Sequence, residues 1–199
     1  MKRILLDIDG VIIRNKPLLG HVRNNIVRYV DSKVKTNNPA HLNDLLFKAH
    51  GHTAKGLEKE FGIDTSDFNS FVYDVHAIDH LYEVLKSDEF KHDAEIIKSL
   101  GTDVSFFSNS PLVWSIPVRN AINKNIHTAV YTKPEIKNYS MWKEREAIIV
   151  DDRLDNLLPA LFFKNLTPIH FSEHKESDAI KTVYSLETIC EDLNRDQFL

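Results

Sequence analysis

An α/β fold is what the sequence predicts: a parallel sheet with helices on both faces, and a small all-helical block inserted after the first strand. Three observations carry that expectation. Short β-branched and apolar runs recur along the chain, and several end abruptly in polar residues. Stretches with helical spacing lie between most of these runs, the alternation expected of a parallel sheet. The interval 16–90, between the first two runs, holds helical patterns and no convincing strand.

The strands are expected at Arg3–Asp9, Val104–Ser108, Ala129–Thr132, Ala147–Asp151 and Pro168–Phe171. Each reads as a buried strand because its apolar residues are nearly continuous. Within the insert, Val22, Ile26, Val27, Val30 and Val34 fall along one helical face. Asn38-Pro39 looks like an N-cap followed by an N1 proline, and the helix it opens would turn Leu42, Leu45, Leu46 and Ala49 inward. Leu57 and Phe61 pair at i, i+4 before Gly62. A further piece, Asp64–Asp74, starts with capping residues and would bury Phe68, Phe71, Val72 and Val75. Beyond the insert, Asp93–Leu100 reads as a helix stopped by Gly101. Leu154–Lys164 reads as another helix. The division expected is an α/β core at 1–15 and 91–199, with a helical domain at 16–90.

Composition narrows the class of partner. The 199 residues carry 25 Lys and Arg against 29 Asp and Glu, a formal net charge of −4. That balance argues against a nucleic-acid polymer, which needs a basic face. It leaves room for a small anion in one local pocket. No apolar run approaches the ~20 residues of a membrane helix. The apolar stretch after Arg3 ends at Asp7, too early for a signal peptide. The single Cys190 fits a reducing compartment, so a cytoplasmic location is expected.

Four fragments at strand ends carry chemistry. In Leu5-Leu6-Asp7-Ile8-Asp9-Gly10-Val11, two carboxylates sit at i and i+2, a spacing that shares one face of an extended strand. Ligands of open α/β sheets bind outside the carboxyl ends of the strands. Two such charges ~4 Å apart repel by roughly 4 kcal/mol at an effective dielectric of 20. The pair therefore calls for a cation or a shared proton. In Phe106-Phe107-Ser108-Asn109-Ser110-Pro111, Ser108 and the backbone N–H groups after it suit a phosphate; a plain strand–turn–helix with Ser110 as N-cap is the competing reading. Pro117 falls in the interior of that helix, so a kink or a late start is expected. The third fragment is Tyr131-Thr132-Lys133-Pro134, a lysine placed directly after a strand. In the fourth, Ile148-Ile149-Val150-Asp151-Asp152-Arg153-Leu154-Asp155-Asn156, a buried strand ends in adjacent acids, which are costly unless they meet a metal or a base.

Together the four fragments, in this order, resemble the haloacid-dehalogenase-like (HAD) hydrolase superfamily. The matching motifs are Asp7-Ile8-Asp9-Gly10-Val11, Ser108-Asn109, Lys133-Pro134 and Asp151-Asp152 with Asn156, and they span most of the chain. The resemblance implies a HAD-like Rossmannoid core with a helical cap. It implies that Asp7 is the nucleophile of a phosphomonoesterase with an aspartyl-phosphate intermediate, and that Asp9 is its general acid and base. Ser108 and the backbone near Asn109 would hold phosphoryl oxygens, and Lys133 would neutralise charge on Asp7 and the phosphate. Asp7, the backbone carbonyl of Asp9, Asp152 and Asp151 beside it would hold Mg²⁺, which favours octahedral oxygen ligands. An acid two positions after the nucleophile favours phosphate esters over carbon–halogen bonds.

Within the insert, Asn43–His50, Gly51, Lys55-Gly56-Leu57 and Gly62-Ile63-Asp64 resemble pyrimidine 5′-nucleotidase-type members. That resemblance implies a small phosphorylated metabolite as partner, a nucleoside 5′-monophosphate first, with His50, His52 and Tyr73 facing it. The alternatives are a phosphatase or phosphomutase acting on a small sugar phosphate, or a non-catalytic HAD-fold binding protein. Two departures from the family pattern stand out. The stretch 134–150 is short, leaving space for a brief helix such as Lys137–Lys143. Gly10-Val11 stands where nucleotidase relatives carry a polar residue and Thr or Cys. Packing is the default for Trp114 and Trp142, with a place at the border of the pocket as the alternative for Trp114.

Overall fold

The computed structural model describes residues 3–100, 103–130, 133–142 and 144–194. Two compact units emerge, Met1–Arg14 with Leu85–Leu199, and Asn15–Val84.

The first unit is built on six parallel strands: β1 (Arg3–Leu6), β2 (Asp103–Ser108), β3 (His127–Val130), β4 (Ala147–Asp151), β5 (Leu166–Phe171) and β6 (Lys181–Val183). Their order in the sheet is β3-β2-β1-β4-β5-β6. Strand β1 is central, and Ile4, Leu5 and Leu6 are fully buried. Leu6 pairs with Phe106 on one side and Val150 on the other. The register sets the carboxyl ends side by side, so Asp7 follows β1 level with the ends of its neighbours. The first strand is shorter than expected. It stops at Leu6, and the chain from Ile8 turns on itself, with Ile12 and Ile13 N–H groups donating to the Ile8 carbonyl. The third strand begins two residues earlier than expected, and Tyr131 and Thr132 lie outside the described residues. Strand β6 had no clear signature in the sequence, being three residues long.

Helices of this unit pack against the sheet. The Ser87 side chain caps the helix Asp88–Ser99, and Asp88 and Glu89 in its first turn suit the helix dipole. It begins five residues earlier than expected, and Gly101 lies outside the described residues. The helix Leu112–Ile122 carries Pro117 in its interior, so of the two expectations there, a kink or a late start, the late start is overturned. The brief helix before β4 is Ile136–Ser140, and Lys143 lies outside the described residues. The expected helix Leu154–Lys164 is a single turn, Leu154–Leu157, continued as a 3-10 turn over Leu158–Phe162, where Pro159 removes a donor.

The second unit consists of helices, here α1 (Lys16–Lys33), α2 (Pro39–His50), α3 (Thr53–Phe61), α4 (Phe68–Val72) and α5 (Val75–Val84). The Asn38 side chain accepts from the His41 N–H and Pro39 follows it, as the cap signal predicts. Gly51 and Gly62 end α2 and α3 in the left-handed region, at φ 71° and 63°. The inward faces differ from expectation. In α1 the buried face is Leu18, Val22, Asn25, Tyr29 and Val30, while Val34 is only its C-cap. In α2 it is Asn43 and Leu46, so Leu45 and Ala49 point outward. Phe61, Phe71 and Val75 are exposed as well. Apolar spacing alone misplaces these faces because buried asparagines occupy core positions: Asn43 accepts from the Thr53 hydroxyl at 2.7 Å, and Asn25 donates to the Val72 carbonyl at 3.1 Å. No helix among the described residues is long and apolar enough to cross a membrane.

Candidate functional site

Four strand ends converge at the carboxyl edge of the sheet. Asp7 follows β1, and its backbone N–H donates to the Val150 carbonyl at 2.9 Å, tying it to β4. Its carboxylate accepts from the Ile8 N–H at 2.7 Å. Lys133, fully buried, brings Nζ to 2.8 Å from Asp7 Oδ2 and also donates to Asp151 Oδ2. Burial pulls the lysine's pKa down, but Asp151 and Asp7 more than offset it, and the ammonium is stabilised.

Asn109 places that lysine. Its Oδ1 accepts from the Lys133 backbone N–H at 2.7 Å, and its Nδ2 donates to the Lys133 carbonyl at 3.2 Å. The Asn109 side chain thus holds the lysine's backbone, and the phosphate contact expected near this residue is one of its backbone. Ser108, also buried, exchanges hydrogen bonds with Ser110: its hydroxyl donates to Ser110 Oγ at 3.0 Å and accepts from the Ser110 N–H at 3.2 Å.

The acids divide by partner. Asp151 is fully buried and well satisfied, accepting from Lys133, from the Arg153 N–H at 2.9 Å and from Asn156 Nδ2 at 3.0 Å. Burial pushes its carboxyl up to about 6 against the pull of Lys133. Asp152 is pushed up to about 8, by burial first and then by Asp151 and Asp7. Its backbone carbonyl lies 3.1 Å from the His170 ring on β5. Carboxylate oxygens of Asp7, Asp151 and Asp152 lie within 4.8 Å of one another. Three acids share one buried lysine, an excess of negative charge that a cation would balance. Hard oxygen donors of this kind suit Mg²⁺. Gly10 makes space for the set: at φ +84°, a Cβ there would fall 2.3 Å from the Asp152 carboxyl.

Asp9 stands apart from the metal-type cluster. Its Oδ2 accepts from the Ser110 hydroxyl at 2.7 Å and its Oδ1 from the Trp114 indole at 2.9 Å. Burial and then Asp7 push its carboxyl up to about 6, while Ser110 and Trp114 oppose the rise. Two expectations are corrected here. Pro111, not Ser110, is the N-cap of Leu112–Ile122, and the Ser110 hydroxyl serves Asp9. Asp7 and Asp9 are neighbours through a turn rather than through strand alternation, since β1 ends before both. Of the two readings of Trp114, packing and a place beside the pocket, the structure shows both a buried ring and an indole that donates to Asp9; that partner has no signature in the sequence.

His50, His52 and Tyr73 sit in the helical unit. His50 ends α2, 2.9 Å from Glu60 of α3. His52 is the N-cap residue of α3, its ring 5.5 Å from that of Phe68, and burial lowers its pKa. Tyr73 closes α4. Glu60 and Phe68, which His50 and His52 meet, belong to that same unit.

No protein-family model and no curated protein sequence matches the chain. Solved structures do. CbbY from Rhodobacter sphaeroides, in complex with phosphate, is 14% identical with a TM-score of 0.63, the match covering 94% of this chain and 95% of that one. A mutant of that protein was crystallised with xylulose-(1,5)bisphosphate. A HAD hydrolase of family IA, variant 3, from Entamoeba histolytica is 15% identical with a TM-score of 0.58, covering 98% of this chain and 100% of that one. YfnB from Bacillus subtilis, a HAD-type hydrolase structure bound to magnesium, is 13% identical with a TM-score of 0.55, covering 97% and 98%. Identities this low speak for the fold: the chain has the HAD-like α/β fold.

Proposed function

We propose that this protein is a phosphotransfer hydrolase that cleaves a small phosphomonoester through an aspartyl-phosphate on Asp7. The observation that carries the reading is the cluster of buried Asp7 and Asp151 with half-buried Asp152, in which Lys133 pairs with Asp7 and Asp151, while Asp9 is held separately by neutral donors. Asp7 is the nucleophile: its carboxylate oxygen forms the bond to phosphorus as the ester oxygen leaves. Asp9 gives its proton to that oxygen. In the second half, water attacks phosphorus, its proton passes to Asp9, and the bond to Asp7 breaks. Lys133 counters the charge that gathers on the equatorial oxygens. Asp7, Asp151 and Asp152 would hold Mg²⁺, which supplies further positive charge when bound. Asp9 suits a role that alternates between acid and base, because a carboxyl near 6 holds and yields a proton at neutral pH.

The substrate class favoured is a small sugar phosphate, supported by the bound phosphate and xylulose bisphosphate of the Rhodobacter protein with this fold. The nucleoside 5′-monophosphate reading rests on the sequence pattern of 43–64 alone. The helical unit is proposed as the cap that supplies specificity, with His50, His52 and Tyr73 as its first residues to vary. Phosphate release from a panel of sugar phosphates and nucleoside monophosphates, with Mg²⁺, tests the reading. Turnover is expected, strongest on a sugar phosphate. An isomerised phosphosugar in place of free phosphate would reassign the protein as a mutase. Asp7→Asn is expected to abolish turnover in a folded protein, and wild-type rates in that variant would refute the nucleophile.

A further inference from the structure

One short segment, 110–114, delivers two different donors to the two oxygens of one carboxylate. Ser110 reaches Asp9 Oδ2 at 2.7 Å and the Trp114 indole reaches Oδ1 at 2.9 Å. Trp114 is fully buried in the first turn of its helix, so its ring is fixed by packing. The two donors are not equivalent. An indole N–H only donates, whereas a hydroxyl donates or accepts as it rotates. A proton on Oδ1 would face the indole hydrogen directly. A proton on Oδ2 would be accepted by Ser110 Oγ, whose rotation is steadied by its exchange with Ser108.

We propose that Trp114 and Ser110 are positioning residues for Asp9, the indole reserving Oδ1 as an acceptor so that Oδ2 is the oxygen that carries the catalytic proton. The inference rests on the phosphoryl-transfer reading of this site and deepens it. The carboxyl then has one proton-bearing edge in both halves of the reaction, without needing to turn. A structural partner for a buried indole would hold the ring equally well but would have no bearing on proton delivery.

The dependence on leaving group separates these roles. Trp114→Phe keeps the ring and removes the donor, and Ser110→Ala removes the hydroxyl. With melting curves checked for folding, each variant is expected to lower kcat/KM at least tenfold for an alkyl phosphate, whose leaving oxygen needs a proton. For p-nitrophenyl phosphate, whose leaving group does not need one, the loss is expected below about threefold. Ser110→Thr should recover most of the alkyl-ester rate. Equal losses on both esters, no loss on either, or a gain would overturn the inference. If the wild type turns over neither ester, the phosphatase reading fails first, and the Trp114 indole N–H resonance decides this one. It is assigned by its loss in Trp114→Phe, and is expected to move in Asp9→Ala. An unmoved resonance overturns the inference.

Discussion

The carboxyl edge of the sheet and the helical unit treat polar groups in opposite ways. At the sheet edge, Lys133 and Asp151 are fully buried and Asp7 nearly so. In the helical unit the Arg23–Asp44 pair lies outside, its side chains 63% and 57% exposed. What that unit buries is neutral: Asn25, Asn43 and Thr53. Among the described residues, every buried carboxylate and the buried lysine belong to the α/β unit. Taking a charge out of water costs several kcal/mol unless it is paired. A neutral amide that finds its partners costs far less. The helical unit spends polar groups on its own architecture, while the sheet edge holds charge at a cost to stability.

The largest test of that contrast removes the buried cation. Lys133→Met leaves Asp7 and Asp151 buried without it, and is expected to cost about 3–5 kcal/mol in urea unfolding. Arg23→Met, at the exposed pair, is expected to cost at most about 0.5 kcal/mol. Comparable losses would erase the difference between the regions.

The next effect concerns protons and metal. The Asp152 carboxyl is pushed up from 3.8 to about 8 in the folded protein without metal, and Asp9 and Asp151 to about 6. A raised folded pKa means the folded state holds more protons than the unfolded one between those limits. The stability they contribute is whole below about 4 and is lost as the pH climbs towards 8. Metal-free melting curves should therefore fall across that window. At pH 8, Mg²⁺ at a hundred times its Kd should restore about 2.7 kcal/mol, and less at pH 5, where protons compete. Asp152→Asn should flatten the pH slope and weaken the Mg²⁺ effect. A metal response unchanged in that variant would remove Asp152 from the site.

Two glycines sharpen the comparison further. Gly10→Ala places a methyl on the Asp152 carboxyl at a positive φ, and is expected to cost about 1–3 kcal/mol and blunt the Mg²⁺ effect. Gly20, inside α1, has nothing within 4 Å of an added Cβ, and Gly20→Ala should stabilise by about 0.5–1 kcal/mol. The helix cap gives a modest loss. Asn38→Ala should cost about 1 kcal/mol by urea unfolding and leave the Mg²⁺ response at the sheet edge untouched. A changed metal response there would show the two regions to be coupled.

Much of this was legible in the chain. Runs such as Ile148–Val150 are apolar because both faces of a parallel sheet are covered, and the polar residues that end them mark the edge where a ligand sits. Asn38-Pro39 and Gly62 act through their own backbones, so their caps needed no tertiary information. The inward faces of α2 and α3 were legible in part: Leu46 and Leu57 are buried as expected, but Asn43 takes a core position in α2, and Leu45 and Phe61 are exposed. Strand β6 is too short to carry a period.

The sequence by itself determined the strand order of chemistry, Asp7, Asp9, Ser108, Lys133 and Asp151-Asp152, because residues at strand ends are placed by the strands they follow. Only the tertiary structure decided what each one touches. Asn109 is taken up by the Lys133 backbone, Asp151 by Lys133 and Asn156, and Asp9 by Ser110 and Trp114. These partners lie from 5 to 105 positions apart along the chain. Hydrogen bonds of 2.7–3.2 Å between such groups depend on the sheet register and on which way a buried ring is packed, and neither is written in local spacing.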